Sequence, residues 1–163
     1  LVSRGADVRS RRIFKDLVRI YEYFTLATPP ARFDMHYTVV EQLLTAHGVD
    51  PNYCEVAECS WGRFRRPPLH NFVDLIAAGF IIEPESDDEF GPAPEDAVAL
   101  EPRFRFYMRV IDLLLQHGAR CSAADLLDFE PGEEDVDMKN WILARPDCTQ
   151  RIREAINRGD LCY

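Results

Sequence analysis

The stretch Val110-Ile-Asp-Leu-Leu-Leu-Gln-His-Gly-Ala119 decides the fold. Val110, Ile111, Leu114 and Leu115 recur at the spacing of one helical face. Gly118 then falls where a helix ends in a left-handed conformation that favours a residue without Cβ. Helix, stop and exit are written in one string. The string recurs as Leu1-Val-Ser-Arg-Gly-Ala-Asp7 and as Leu44-Thr-Ala-His-Gly-Val-Asp-Pro-Asn52. A fourth, weaker copy is Arg151-Ile-Arg-Glu-Ala-Ile-Asn-Arg-Gly159, in which Asp160 replaces the small apolar residue that follows the glycine elsewhere. A repeated unit of this kind leaves an apolar face that only its neighbours can cover.

This pattern resembles the second helix and exit of an ankyrin repeat, whose signature reads approximately V-x-L-L-L-x-x-G-A-D-P-N. The other half of that signature, T-P-L-H, is matched by Pro67-Pro68-Leu69-His70, with Pro in place of Thr. Pro68 suits the first turn of a helix, where its missing N–H does no harm. Pro67 lacks the hydroxyl that the family uses, with the His, to staple neighbouring repeats together. The resemblance implies an all-α, ankyrin-type helical-repeat solenoid with irregular insertions.

Spacing departs from the family. Gly5, Gly48, Gly118 and Gly159 stand 43, 70 and 41 residues apart, against about 33 in a regular array. The 70-residue interval is near two repeats, but 83–102 carries neither a helical period nor a second L-H signal, so one enlarged repeat is preferred. The domain reading is a single array over 1–163. It comprises the end of a truncated repeat at 1–10, a repeat at 11–52, an enlarged repeat at 53–122 with an acidic insertion at 83–102, and a degenerate capping repeat at 123–163. Thr28-Pro-Pro30 is read as a break between helices. Helices are expected near 13–24, 35–46, 69–78, 104–116, 123–128, 135–144 and 149–158. The expected core is Ile13, Leu17, Ile20, Val40, Leu43, Leu44, Leu69, Phe72, Val73, Ile76, Val110, Ile111, Leu114 and Leu115. Arg151, Arg153, Glu154 and Arg158 give the last helix the polar outer face of a cap. Leu1 in place of Met and the exit-like 1–8 lead to the expectation that the chain is cut from a longer protein.

The 163 residues are 47% hydrophobic and 29% charged, within the range of globular domains. Leu75 to Ile82, the longest apolar run, is far shorter than the roughly 20 residues of a membrane-spanning helix, and no membrane partner is expected. A net charge of −9 repels phosphate backbones, so no nucleic acid is expected either. Five scattered cysteines without a C-x-x-C pair argue against a disulfide framework and suit an intracellular location, cytoplasmic or nuclear.

Chemistry-bearing constellations are sparse. Cys54, Cys59 and His70 include metal-ligand types, but the C-x4-C spacing is loose and no fourth ligand is evident. His70 is better explained as a buried, hydrogen-bonded residue at the start of a helix. Phosphate-loop, dinucleotide, nucleophile-elbow and H-E-x-x-H strings are missing, and Glu85-Ser-Asp-Asp-Glu89 lacks EF-hand spacing. The expectation is a non-enzyme with no catalytic residue, cofactor, metal or small-molecule substrate. Cys59-Ser-Trp-Gly-Arg-Phe-Arg-Arg66 sets two aromatics and three arginines in an extended finger between repeats, and Trp and Arg are enriched at binding hot spots. The bland alternative is that Trp61 and Phe64 merely pack the finger down.

The resemblance implies protein–protein recognition through fingers and the first helices of the concave face. Carried onto this sequence, that places binding on Tyr53, Trp61, Arg63, Phe64 and Arg65, with Asn71 and Asp74 on the next helix. The alternative is a regulatory ankyrin segment of a larger enzyme or a ubiquitin-ligase adaptor.

Overall fold

Three glycines end helices in the left-handed region: Gly48 at φ 58°, Gly118 at φ 83° and Gly159 at φ 73°. They punctuate a computed structural model that describes residues 13–22, 28–53, 56–59, 62–65, 67–80, 94–121 and 133–161. Gly5, the expected helix 123–128 and the acidic stretch 83–93 lie outside these residues. In chain order the elements are α1 (Ile13–Glu22), α2 (Pro30–Thr45), β1 (Val56–Cys59), β2 (Gly62–Arg65), α3 (Pro68–Phe80), α4 (Pro94–Gln116), α5 (Glu133–Ala144) and α6 (Gln150–Arg158). The chain is mostly helical; the one addition to an all-α layout among the described residues is the short hairpin β1–β2.

Prolines start three helices here: Pro68 as expected, Pro30 and Pro94 against the expectation of a break or an insertion. Pro29 is extended, and Pro30 opens α2, five residues before the expected start at Met35. A proline N–H would be unpaired in the first turn in any case, and its fixed φ already suits the helix. Pro68 opens α3, and the Pro67 carbonyl accepts the Asn71 N–H at 3.3 Å. The same logic at Pro94 carries α4 back through Pro102, ten residues beyond the expected start at 104. The insertion 83–102 is therefore corrected at its C-terminal end, where 94–102 are helical. Pro102 removes one bond to the preceding turn, a loss of ~3 kcal/mol in a helix interior. Fully buried Leu100 and the Glu101 carboxylate, paired with Arg145, anchor the helix on that side.

The caps show how closely the repeated strings fold alike. At Gly118 the Ala119 N–H returns to the Leu114 carbonyl at 2.9 Å; at Gly159 the Asp160 N–H returns to Ala155, also at 2.9 Å. Asp160 does not disturb the pattern, because the cap uses its backbone N–H rather than its side chain. Gly48 closes one residue wider, with Val49 N–H on the Leu43 carbonyl at 3.1 Å. Thr149 caps the start of α6 by accepting the Ile152 N–H on its Oγ1.

Helices α2, α4 and α6 lie side by side, while α1 and α4 each pack on α3. Their exits align as well. The Asn52 side chain donates to the Gly118 carbonyl at 3.0 Å and accepts the Arg120 N–H at 2.7 Å. One exit further on, the Cys121 N–H reaches the Asp160 carbonyl at 2.9 Å. An aromatic group from four helices is buried: Tyr21, Phe33, Phe72, Phe106 and Tyr107. The Tyr21 ring meets Phe106 edge-on at 5.2 Å and Phe72 at 5.6 Å. Each of the three phenylalanines contributes roughly 1.5–3 kcal/mol on burial.

Most of the expected core is buried, from Leu17 and Val40 to Val110 and Leu114, with Ile13 and Leu115 partly covered. Ile20 is the exception at 43% exposed. Its neighbours Leu17, Val18 and Tyr21 turn inward and leave it on the outer side of α1. Charged links then join the outer helices: Arg109 to Asp34 at 2.7 Å between α4 and α2, and Arg151 to Asp112 at 2.6 Å between α6 and α4. Arg151, expected on the outer face of the cap, thus reaches back to α4.

Candidate functional site

The residues expected to bind a partner fall on two neighbouring parts of the chain. Asp50 accepts the Asn52 N–H on its carboxylate at 2.9 Å and the Tyr53 N–H on its carbonyl at 3.3 Å. This tight turn leads the chain from α2 toward the hairpin, with Tyr53 half-buried. The hairpin register pairs Val56 with Arg65, Ala57 with Phe64, Glu58 with Arg63, and Cys59 with Gly62. Arg63, Phe64 and Arg65 therefore sit consecutively on β2. Trp61 and Arg66 lie outside the described residues.

Beyond the hairpin, α3 carries Asn71 and Asp74 within its first two turns, both half-buried. Asp74 also serves the fold: its Oδ1 stands 3.4 Å from Nε2 of His70, one turn earlier. His70 is 6% exposed, as the sequence reading of a covered histidine at a helix start anticipates. With 40% of its side chain exposed, Asp74 shows one edge to solvent while it holds the imidazole. Of the metal-ligand types weighed and set aside, Cys54 lies outside the described residues and only the backbone of Cys59 is described. Among the described residues no group of three His, Cys, Asp or Glu is placed to hold a metal ion.

Two polar residues outside the expected site each join distant parts of the chain through more than one hydrogen bond. Asn52 bridges two exits, and its place in the quoted Asp-Pro-Asn string was the available signal. Arg145, in the turn between α5 and α6, is 7% exposed. Its guanidinium makes paired bonds to Asp147 at 2.8 and 2.9 Å and to Glu101 at 3.0 and 3.1 Å. Trp141 lies against it, 4.7 Å from ring centroid to guanidinium carbon. Burial opposes the charge, but hydrogen bonds and attraction from Asp147 and Glu101 outweigh it and raise the pKa. Nothing in Ala144-Arg-Pro-Asp147 distinguishes this arginine from a surface one, since its second carboxylate arrives from α4.

Elsewhere, burial and then Arg32 lower the His36 pKa, while burial raises the Cys148 thiol. Both groups are thereby held neutral near pH 7. No helix among the described residues is long and apolar enough to cross a membrane. Comparison with family models, curated proteins and solved structures gave no match.

Proposed function

We propose that this chain is an ankyrin-type helical-repeat array whose function is to hold another protein, without catalysis or a cofactor. The observation that carries the reading is the alignment of the exits. Asn52 ties the exit of α2 to that of α4, and Cys121 ties the exit of α4 to that of α6. Repeats that lean on each other in this way build an extended surface rather than an enclosed site. Binding falls to the hairpin with Trp61, Arg63, Phe64 and Arg65, flanked by Tyr53 before it and by Asn71 and Asp74 after it. Aromatic and arginine side chains are the types that dominate such interfaces. The buried thiol of Cys148, in no disulfide, suits a reducing location, cytoplasmic or nuclear.

The test is affinity capture with mass spectrometry on the parent chain and on Trp61→Ala and Arg65→Ala. Proteins recovered with the parent should be lost or depleted with both variants, while the melting temperatures stay the same. Unchanged recovery of every protein removes the finger from the interface.

A further inference from the structure

The strands of the hairpin pair with each other, and among the described residues neither has a second neighbour. An open strand edge offers N–H and C=O groups from every second residue, a template for a further strand. On β2, Arg63 and Arg65 stand two apart, and Arg66 follows in sequence. The register sets Glu58 across from Arg63 but uncharged Val56 across from Arg65. From Cys59 to His70 the sequence holds three arginines and no acidic residue, within a chain of net charge −9.

Resting on the hairpin as the binding finger, we infer that the outer edge of β2 takes up an extended, acid-rich segment of a partner protein as a third strand. Residues two apart on a strand share a face, so carboxylates at alternate positions of the incoming segment match the spacing of Arg63 and Arg65. Main-chain bonds supply affinity, and opposite charges across the strands supply register and selectivity. The acidic remainder of the chain does not prevent this. At physiological ionic strength exposed charges more than about 8 Å away are largely screened, and within the hairpin segment Arg63, Arg65 and Arg66 outnumber Glu55 and Glu58, so the local preference is for acidic residues.

The test titrates the 163-residue chain into labelled peptides of alternating glutamate and valine or alternating lysine and valine, followed by fluorescence anisotropy. A third peptide repeats the glutamate sequence with alternate backbone nitrogens methylated. The glutamate peptide should bind, with affinity about tenfold lower for Arg63→Glu/Arg65→Glu, and circular dichroism should show that variant folded. The lysine and N-methylated peptides should not bind. Equal binding of the lysine peptide, indifference to N-methylation, or displacement by a single-stranded oligonucleotide would each overturn the inference. Binding that emerges only after Glu85, Asp87, Asp88 and Glu89 are neutralised would assign the edge to the chain's own acidic segment and overturn it too. Loss of a captured protein on Arg65→Ala without any peptide binding would leave the finger in the interface and remove the acidic strand.

Discussion

Asn52 and Gly118 lie 66 residues apart in sequence, yet the Asn52 amide donates to the Gly118 carbonyl at 3.0 Å while its oxygen holds the Arg120 N–H. One side chain thus satisfies two backbone groups of the next exit. Asn52→Ala removes both bonds, each worth roughly 0.5–1.5 kcal/mol. The expected outcome is a melting temperature lower by several degrees, at about 2–4 °C per kcal/mol for a chain of this size. Asn52→Asp keeps the acceptor and loses the donor, and should fall between the two. Equal melting of all three chains would show that the exits are held elsewhere.

Arg145 is expected to be the most sensitive charged position. Truncation to Ala leaves Glu101 and Asp147 without their shared cation, at a loss of about 1–2 kcal/mol, below that of a fully buried pair because Glu101 keeps 38% of its side chain exposed to water. Arg145→Lys should recover only part of this, because an ammonium cannot make two paired contacts at once. Urea unfolding midpoints of the three chains rank them; a lysine variant as stable as the parent contradicts the geometry.

Left-handed backbone sets a third expectation. At Gly118 a Cβ meets nothing within 4 Å, so Gly118→Ala tests backbone strain alone. The loss should be about 1–2 kcal/mol. Gly159→Ala should resemble it, since the two caps share their bonding.

Acidity should act through His36. Its folded pKa is lowered, so between that value and the ordinary value of about 6.5 the unfolded chain binds more protons. This contribution to stability is fully present above the unfolded pKa and is lost as pH falls through the window. Urea midpoints measured at falling pH should drop more steeply for the parent than for His36→Gln. Parallel curves would mean that protonation at His36 does not couple to folding.

The sequence carried the helix ends more clearly than the helix starts. Gly48, Gly118 and Gly159 announce left-handed caps because few residues tolerate that conformation, and the apolar spacing before them named most of the core. Proline is ambiguous, for it ends one helix and opens another with equal ease, so Pro30 and Pro94 read from sequence as a break and part of an insertion although each opens a helix. Ile20 has the spacing of a core residue, and only the packing of α1 on α3 decides which of its apolar neighbours turn inward. Of the candidate site, the run Arg63 to Arg65 was legible as an extended finger, and the register that sets Val56 across from Arg65 was not. Asp74 was marked for partners without notice that it also holds His70. Arg145 could not be found from sequence, because Glu101 meets it from 44 residues away.

The exits are coupled within a few residues of each glycine, whatever lies between one glycine and the next. Alignment of neighbouring exits is thereby set independently of segment length, and the intervals of 70 and 41 residues between Gly48, Gly118 and Gly159 are both accommodated. Connecting segments can therefore lengthen or shorten without realigning α2, α4 and α6, because the joints that hold them lie at the helix ends and not in the connections.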